Sequence, residues 1–399
     1  MKKTLYILFV CLGVSILNAQ NNAAEANLLT NALDSIYSQS NICGFSVAIV
    51  NEDGIAYTKG FGYADVQHKK EYTAHTIQNI GSVSKTFIGI SLLKAEELGK
   101  LKLDDPIDQY LPFEVKHPLY PKEKITIRHL ATHTSGIRDT SLYEKYGYVL
   151  QEKNDTDAFI PKGFRPHTEK MSLGELMEKI LSKNGDWYKK KNFTKYKPGV
   201  RYEYTNFGSG LAAFVLENAT GMPYRDFVKT HILEPLEMKD TSLSFDDIDF
   251  SKHSKLYNNP KQAIAFYTLA NYPDGGVITS STSLGKYLSE FIRGYKGKGT
   301  ILNQESFKSF FTPVLSASHY KERSKGAYSD EYNTSIFLGF SAKGYIGHTG
   351  YDPGALCLFF FNPKTSIGKL FITNTEPDKK SIGQYKAIWK KLEEFENKF

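Results

Sequence analysis

The chain is poor in cysteine and has no apolar run of membrane-spanning length. Only three of its 399 residues are cysteine, which excludes a small disulfide-stapled scaffold. Cys43 and Cys357 lie in apolar, strand-like runs, where a free thiol commonly serves as a small buried apolar group. We therefore predict two structural thiols without a metal or redox role.

A strong charge of one sign is also missing. The chain has 50 Lys and Arg against 43 Asp and Glu, a net charge of +7, and 41% of its residues are hydrophobic. That balance is typical of a globular protein and excludes a disordered or collagenous chain. The only basic cluster is Lys189, Lys190 and Lys191. Without a nucleic-acid-binding motif around it, we predict no nucleic-acid partner.

The N-terminus has the pattern of an export signal. Lys2 and Lys3 precede an apolar stretch over residues 5–16, and Ala19 is a suitable last residue before cleavage. The stretch is shorter than the roughly 20 residues that a spanning helix needs. We predict a signal peptide over residues 1–19, a periplasmic or secreted protein, and no membrane span in the mature chain.

Cys11 raises the possibility of a lipid anchor at the same terminus. The residue before it is Val10, whereas a lipoprotein cleavage site normally has a small residue there. We therefore predict that Cys11 is not lipidated.

Apolar periodicity predicts the same motif, in mirror image, at the two ends of the chain. Near the start, a helical pattern precedes two extended runs joined by an Asp-Gly turn, which is a strong hairpin signal. Near the end, two extended runs precede a helical pattern. The predicted segments are the helix 24–38, the strands Gly44–Asn51, 55–63, 355–361 and Ile367–Thr373, and a last helix from Ile382 to Phe395.

The simplest assembly of these segments is one antiparallel sheet built from both chain ends, with the terminal helices packed on one face. Residues of about 95–290 are richer in helix and turn signals, and we predict that they form a large, mainly helical insertion. The expected fold is α/β (α+β), with a single domain over residues 24–399.

A Ser-x-x-Lys motif at Ser82 and Lys85 is the best candidate for a nucleophile. At this spacing the two side chains share one face of a helix, and the helix start favours a developing negative charge. A desolvated lysine can help to deprotonate the serine. The spacing alone is weak evidence, because four other serines also have a lysine three residues later: Ser91, Ser283, Ser318 and Ser366.

Two further motifs follow in order. Tyr204-x-Asn206 comes after a Pro-Gly turn and precedes a helical pattern, and His348-Thr349-Gly350-Tyr351 lies just before the strand 355–361. With the Ser-x-x-Lys motif they resemble the three motifs of the serine β-lactamase and penicillin-binding-protein superfamily, and in particular the class C β-lactamases with their peptidase and esterase relatives. Other stretches that match in order are 60–65, 101–106, 126–136 and 273–276.

This resemblance implies a role for each motif. Ser82 is expected to be the acylated nucleophile, Lys85 its base or charge partner, and Tyr204 the general acid/base for the leaving group and the deacylating water. Asn206 is expected to bind substrate and to orient Lys85.

The last motif is expected to line the substrate site, with His348, Thr349, Gly350 and Tyr351. The backbone N–H groups of Ser82 and Tyr351 would form the oxyanion hole. No metal or organic cofactor is implied.

The chain departs from the family pattern in two places. His348 stands where β-lactamases usually have lysine, which favours the peptidase and esterase relatives. Residues of about 140–195 form a longer connection than this branch normally has, which is either a set of loops that tune the substrate or a solvated surface insertion.

Two competing motifs carry less weight. Tyr257-x-Asn259 also fits Tyr-x-Asn, but Pro260 follows it and no helical pattern continues. His129 and His133 have the spacing of a zinc-protease helix, but Leu130 replaces its catalytic glutamate, so we predict no metal site.

Three functions remain open at this stage. The first is hydrolysis of amide bonds next to D-amino acids, as in cell-wall peptides, and the second is hydrolysis of esters or β-lactams by the same nucleophile. The third is a non-catalytic penicillin sensor, which the presence of all catalytic motifs disfavours. A small-molecule or peptide substrate is expected, and the sequence carries no signal of oligomeric state.

Overall fold

The computed structural model describes residues 23–320, 335–341 and 343–399. The signal peptide predicted over residues 1–19, with Cys11, therefore lies outside the described residues. The strands are β1 Gly44–Asn51, β2 Gly54–Asp65, β3 Lys70–Glu71, β4 Gln78–Asn79, β5 Tyr148–Leu150, β6 Thr241–Ser242, β7 Leu256–Asn259, β8 Gln262–Ile264, β9 Tyr267–Leu269, β10 Ile278–Thr279, β11 Gly339–Phe340, β12 Ile346–Asp352, β13 Ala355–Asn362 and β14 Ile367–Thr373.

Ten α-helices occupy the described residues, and short 3₁₀ turns connect many of them. The helices are α1 23–38, α2 Lys85–Glu97, α3 Ile127–Ala131, α4 Ser141–Tyr146, α5 Leu173–Leu181, α6 Asn206–Thr220, α7 Tyr224–Val228, α8 Ser281–Tyr295, α9 Gln304–Phe311 and α10 Ser381–Phe395.

The main sheet has seven strands in the order β11-β12-β13-β14-β1-β2-β3. β1 from the start of the chain pairs antiparallel with β14 from its end, with Phe45 opposite Thr373. The predicted antiparallel sheet made from both chain ends is therefore confirmed, as are both terminal helices.

Alternation along β1 explains why helices cover both faces of the sheet. Phe45, Val47 and Ile49 point to one side and pack in a cluster with residues of α1 and α10, such as Leu33 and Trp389. Ala48 and Val50 point to the other side, where they join the larger core that contains α2 and α8. A central strand buried on both faces needs apolar residues at nearly every position.

The C-terminal helix is also fixed by a buried ion pair. The Lys369 ammonium on β14 contacts the Glu396 carboxylate just past α10, and it lies 5.0 Å from the ring centre of Tyr345 and 5.6 Å from that of Trp389. Burial lowers the pKa of Lys369, and the Glu396 contact opposes that shift. Ile382, which the periodicity places on the inner face of α10, is instead exposed because it lies in the first turn of the helix.

Both predicted structural thiols are buried and unbridged. Burial raises the pKa of Cys43 to about 11 and also raises the pKa of Cys357, so both remain protonated at neutral pH. No helix among the described residues combines the length and apolar composition that crossing a membrane requires.

Candidate active site

Ser82 lies in a 3₁₀ turn, Gly81–Ser84, that leads directly into α2. Gly81 starts the turn with φ of 54°, a left-handed conformation that glycine adopts without strain. A side chain at Gly81 would place its Cβ 2.5 Å from the backbone nitrogen of Tyr351. The turn therefore needs glycine twice, for its conformation and for its close contact with β12.

Lys85 is the first residue of α2 and is completely buried. Its ammonium donates to Ser82 Oγ at 3.0 Å and to the backbone carbonyl of Asp274 at 2.9 Å. Ser82 itself is partly accessible to solvent. A partly exposed hydroxyl held by a buried amine is the arrangement that the Ser-x-x-Lys spacing predicted.

The second half of β12, at Gly350 and Tyr351, packs against this turn. Gly350 lies so close to it that a Cβ there would fall 1.8 Å from the carbonyl oxygen of Ile80. The next residue, Tyr351, brings its backbone nitrogen beside Gly81, the residue that precedes Ser82. This part of β12 therefore lies against the turn that carries the candidate nucleophile.

Tyr204 lies on the other side of Lys85. The lysine ammonium is 5.1 Å from the centre of the Tyr204 ring. The ring centre of His348 on β12 is 6.4 Å from the same ring centre of Tyr204. His133 lies against the opposite part of the phenol, with its ring centre 4.5 Å away. The phenol therefore sits in a group of basic side chains.

His133 is held in place by its backbone and by a hydrogen bond. Its φ is 56°, just beyond the end of α3, and its Nδ1 accepts the N–H of Thr205 at 3.2 Å. His129 and His133 do not share a helix as their spacing suggested, because α3 ends at Ala131, before His133. Among the residues that the structure describes, no group of three or more His, Cys, Asp or Glu could hold a metal ion.

Asn206 begins α6, and Asp139 organises that helix start. The Asp139 carboxylate accepts the backbone N–H of Asn206 at 2.8 Å, that of Phe207 at 3.1 Å and the hydroxyl of Thr205 at 2.9 Å. It also accepts the side-chain amide of Asn206 at 2.8 Å. A carboxylate at a helix N-terminus is electrostatically favourable, and this one also orients the Asn206 amide.

His348 is buried on β12, opposite Phe359 of β13. Its Nδ1 lies 2.6 Å from the carbonyl oxygen of Thr349, so that nitrogen carries the proton and donates it to the hydrogen bond. Tyr351, by contrast, is half exposed, and its phenol donates to the Glu376 carboxylate.

Sequence reasoning missed three carboxyl groups of this site. Asp139 follows the matched stretch 126–136, and no motif marks it. Asp274 and Asp352 lie within matched stretches but received no role, because the resemblance assigns them none. Both are almost completely buried, a property that the linear sequence does not show.

The competing Tyr-x-Asn motif lies outside the site. Tyr257 is on β7, where its hydroxyl accepts the backbone N–H of Val66 at 2.8 Å. Part of the long connection 140–195, in contrast, reaches the site, since the Tyr143 hydroxyl donates to the Asp274 carboxyl at 3.1 Å.

The sheet, its flanking helices and the serine–lysine arrangement define the class of protein, a serine hydrolase. The chain belongs to the beta-lactamase family, whose model matches residues 24–392.

Curated relatives are distant but cover most of the chain. Protein flp of Staphylococcus aureus (strain MW2) is 25% identical over 341 residues, which are 84% of this chain and 60% of that protein. Penicillin-binding protein 4* of Bacillus subtilis (strain 168) is 27% identical over 275 residues, 65% of this chain and 53% of that protein. The chain therefore spans little more than half the length of these relatives.

Solved structures share the fold at low sequence identity. D-amino acid amidase from Ochrobactrum anthropi, complexed with D-phenylalanine, has a TM-score of 0.69 and 20% identity over 93% of this chain and all of that one. The β-lactamase/D-alanine carboxypeptidase from Pseudomonas syringae has a TM-score of 0.67 and 17% identity over 92% of this chain and 99% of that one.

Proposed function

We propose that the protein is an exported serine hydrolase that transfers acyl groups through an ester on Ser82. Its proposed substrates are amide bonds in small molecules or peptides that contain D-amino acids. The observation that carries the proposal is the 3.0 Å hydrogen bond from the buried Lys85 ammonium to the accessible Ser82 hydroxyl.

In the proposed acylation, Lys85 acts as the neutral amine: Ser82 Oγ bonds to the substrate carbonyl carbon while its proton passes to Lys85 Nζ. The intermediate then collapses: its C–N bond breaks and the departing nitrogen receives a proton from Tyr204. In deacylation, Tyr204 takes a proton from the attacking water, the bond from Ser82 Oγ to the acyl carbon breaks to release the acid, and Lys85 returns its proton to Ser82 Oγ. The Lys85 amine, 5.1 Å from the centre of the Tyr204 ring, supports this role, because its protonated form stabilises the deprotonated phenol.

The negative charge of each tetrahedral intermediate forms on the former carbonyl oxygen. The proposed donors to that oxygen are the backbone N–H groups of Ser82 and Tyr351, and the close contact between Gly81 and the Tyr351 nitrogen supports this assignment. One such donor typically contributes about 10²–10³ in rate.

Substrate binding is assigned to Asn206 and to His348, Thr349 and Gly350 of β12. These three residues follow, in β12, Ile346 and Gly347, which pair with β11, and the proposal is that an extended substrate binds along this part of the strand. Binding along a strand edge suits a peptide, because its backbone supplies matching donors and acceptors.

The choice of D-amino-acid amides has two supports. One solved structure with this fold is a D-amino acid amidase and another is a β-lactamase/D-alanine carboxypeptidase. In addition, His348 replaces the lysine that is usual in β-lactamases. Unlike a fixed lysine cation, a histidine changes charge near neutral pH, which weakens the case for a carboxylate-binding lactamase.

The proposal also covers location and organisation. The basic and apolar pattern of residues 1–19 supports a signal peptide and a periplasmic or secreted protein without a lipid anchor at Cys11. A single domain over residues 24–399, with a mainly helical insertion at about 95–290, is the proposed organisation.

Intact-mass spectrometry after mixing the mature protein with benzylpenicillin tests the nucleophile. We expect a one-penicillin adduct in the native protein and none in Ser82→Ala. Ser91→Ala is the matched control, because Ser91 also has a lysine three residues later but is buried in α2. Acylation of Ser82→Ala, or equal loss in both variants, would contradict the assignment.

The lifetime of the adduct then separates the functions. A long-lived adduct indicates a peptidase-like enzyme, and rapid decay with consumption of the drug indicates a β-lactamase. If no adduct forms, D-amino acid amides and esters are the next substrates, and failure of Ser82-dependent turnover on all of them would refute the hydrolase proposal.

A further inference from the structure

Two buried carboxyl groups lie beside Lys85 and take no part in the acyl-transfer steps. Asp274 is 1% exposed and Asp352 is 2% exposed. Burying a carboxylate costs free energy unless it is paired or fully hydrogen-bonded. Two of them in one site therefore require a specific arrangement of protons and charges.

Asp274 is well supplied with hydrogen-bond donors. Its carboxyl accepts the Tyr143 hydroxyl at 3.1 Å and the Asn271 side-chain amide at 2.5 Å, and its backbone carbonyl accepts the Lys85 ammonium at 2.9 Å. Burial raises the pKa of Asp274 to about 7, while the nearby Lys85 charge opposes that shift and Asp139 adds to it.

Asp352 has a poorer environment for a charge. Its Oδ1 accepts the Tyr148 hydroxyl at 3.4 Å, and its buried Oδ2 has no hydrogen-bond partner among the described residues. Burial, and then the like charge of Asp274, raise its pKa well above the usual range. An oxygen buried in this way is accommodated best when the carboxyl is protonated.

Both acids are connected to the reacting groups through the backbone. Asp274 holds Lys85 by its carbonyl, and Asp352 directly follows Tyr351. Gly275, the residue after Asp274, packs beside the Asp352 carboxyl, since a Cβ there would lie 3.4 Å from Asp352 Oδ2. Lys85 acts electrostatically on both carboxyls, and the Asp274 carboxyl acts on that of Asp352.

We propose that Asp274 and Asp352 are positioning residues for Lys85. At neutral pH Asp352 keeps its proton, and Asp274 supplies the negative charge that stabilises Lys85 when it accepts the Ser82 proton. This inference rests on the proposed role of Lys85. Because the two acids interact, their ionisation steps belong to the pair.

Other titratable groups also face the pair. Burial raises the pKa of Tyr143, Tyr148, Tyr267 and Tyr351, so these phenols are neutral near pH 7. Among the described residues, Lys85 and Asp139 are the charged groups named as acting on the pair. The groups are Lys85 on α2, Asp139 before α4, Tyr143 on α4, Tyr148 on β5, Tyr267 on β9 and Tyr351 on β12.

The catalytic consequence can be measured as a pH profile of kcat/KM with p-nitrophenyl acetate, an activated ester that needs no peptide recognition. The native protein is expected to gain activity as the pH rises through about 7, where Asp274 ionises. Asp274→Asn should lose that rise and be several-fold slower than the native protein at pH 8. Asp352→Asn should retain the rise, because the titrating residue is still present.

Glu217→Gln is the matched control. Glu217 is a carboxyl on α6 that accepts hydrogen bonds from Tyr224 and Tyr272, and burial raises its pKa too. Its variant should keep the native profile. A rise near pH 7 that survives in Asp274→Asn, or that disappears in Glu217→Gln, would overturn the positioning role.

Carbon-13 NMR of the aspartate carboxyls gives a readout that needs no turnover. In Ser82→Ala protein, one signal should titrate near pH 7 and be absent in Asp274→Asn, and a second should stay protonated at pH 8 and be absent in Asp352→Asn. If both signals show full ionisation at pH 5, the inference is refuted even if Ser82 proves to be the nucleophile. If the signals behave as expected but no substrate is turned over, only the proposed function has failed.

Discussion

At the scale of single residues, the site depends on which side chains surround each proton-carrying atom. Tyr204 has the Lys85 ammonium on one side and the His133 and His348 rings around it. A phenol normally ionises near pH 10, so the proposed mechanism needs a neighbouring positive charge, which protonated Lys85 can supply, to stabilise its anion. The proposed acid/base role of Tyr204 therefore rests on its surroundings as much as on its motif.

Tyr204→Phe removes the hydroxyl and keeps the ring. We expect kcat for the activated ester to fall by about 10²–10⁴, because positioned acid/base catalysis contributes in that range. Tyr202→Phe is the control: it removes a hydroxyl from a neighbouring tyrosine whose ring meets the other side of His133. A loss below about threefold in Tyr204→Phe would contradict the role.

How far the sequence could predict the site differs from residue to residue. Ser82, Lys85 and Tyr204 belong to motifs with fixed spacing, and the structure brings them together as the resemblance implied. Asp139 could not be predicted, because it reaches Asn206 only through a fold that joins residues 67 positions apart. Long-range contacts of this kind leave no local periodicity to detect.

At the scale of elements, α6 owes its position to a carboxylate from outside the helix. Thr205 is the N-cap, and its side chain accepts the N–H of Gly208. Asp139 adds acceptors for two more N–H groups at the same end. The helix start that carries Asn206 is therefore held by two separate caps.

Asp139→Ala should lower both stability and activity. Loss of a helix cap typically costs about 0.5–2 kcal/mol in the free energy of unfolding, and a released Asn206 amide should raise KM more than it lowers kcat. Chemical denaturation and steady-state kinetics measure the two effects.

Ser172→Ala is a control for the stability effect alone, because Ser172 caps α5 through the N–H of Glu175 and touches no group of the site. If Asp139→Ala changes stability only, Asp139 is a helix cap and does not position Asn206.

Strand boundaries were predicted well where polar and apolar residues alternate or where a run is apolar throughout. They were predicted poorly in the irregular segments between the long elements. The two hairpins are confirmed because turn residues such as Asp53 and Gly54 mark their ends. The short strands β4, β6 and β10 have two residues each and join into a sheet of their own. Two residues are too few to show any period, so only tertiary packing defines them.

At the scale of the whole molecule, the chain ends are joined by packing and charge as well as by strand pairing. The pairing Lys369–Glu396 fixes α10 to the sheet, and the lysine stem is completely buried. Removing one partner of a buried ion pair leaves an uncompensated charge. The stability of the whole sheet should therefore respond to this single contact.

Glu396→Gln should reduce the free energy of unfolding by about 3–5 kcal/mol, and a Lys369→Met/Glu396→Leu double variant should recover much of that loss. Denaturant titration of the single and double variants measures the coupling. On the surface of the same helix, Glu394→Gln breaks the exposed Lys391–Glu394 pair and should leave the midpoint unchanged. Equal losses in the single and double variants would show that the pair is not coupled.

The pairing of β1 with β14 also determines when the chain can fold. Phe45 and Thr373 are partners in one ladder, so the centre of the sheet requires contacts between residues more than 300 positions apart. Closing a loop of that length is slow, and a growing chain cannot form the sheet before its last strands are synthesised. Until then β1 has an unpaired edge open to aggregation, and a chain cut after β13 would retain that edge permanently.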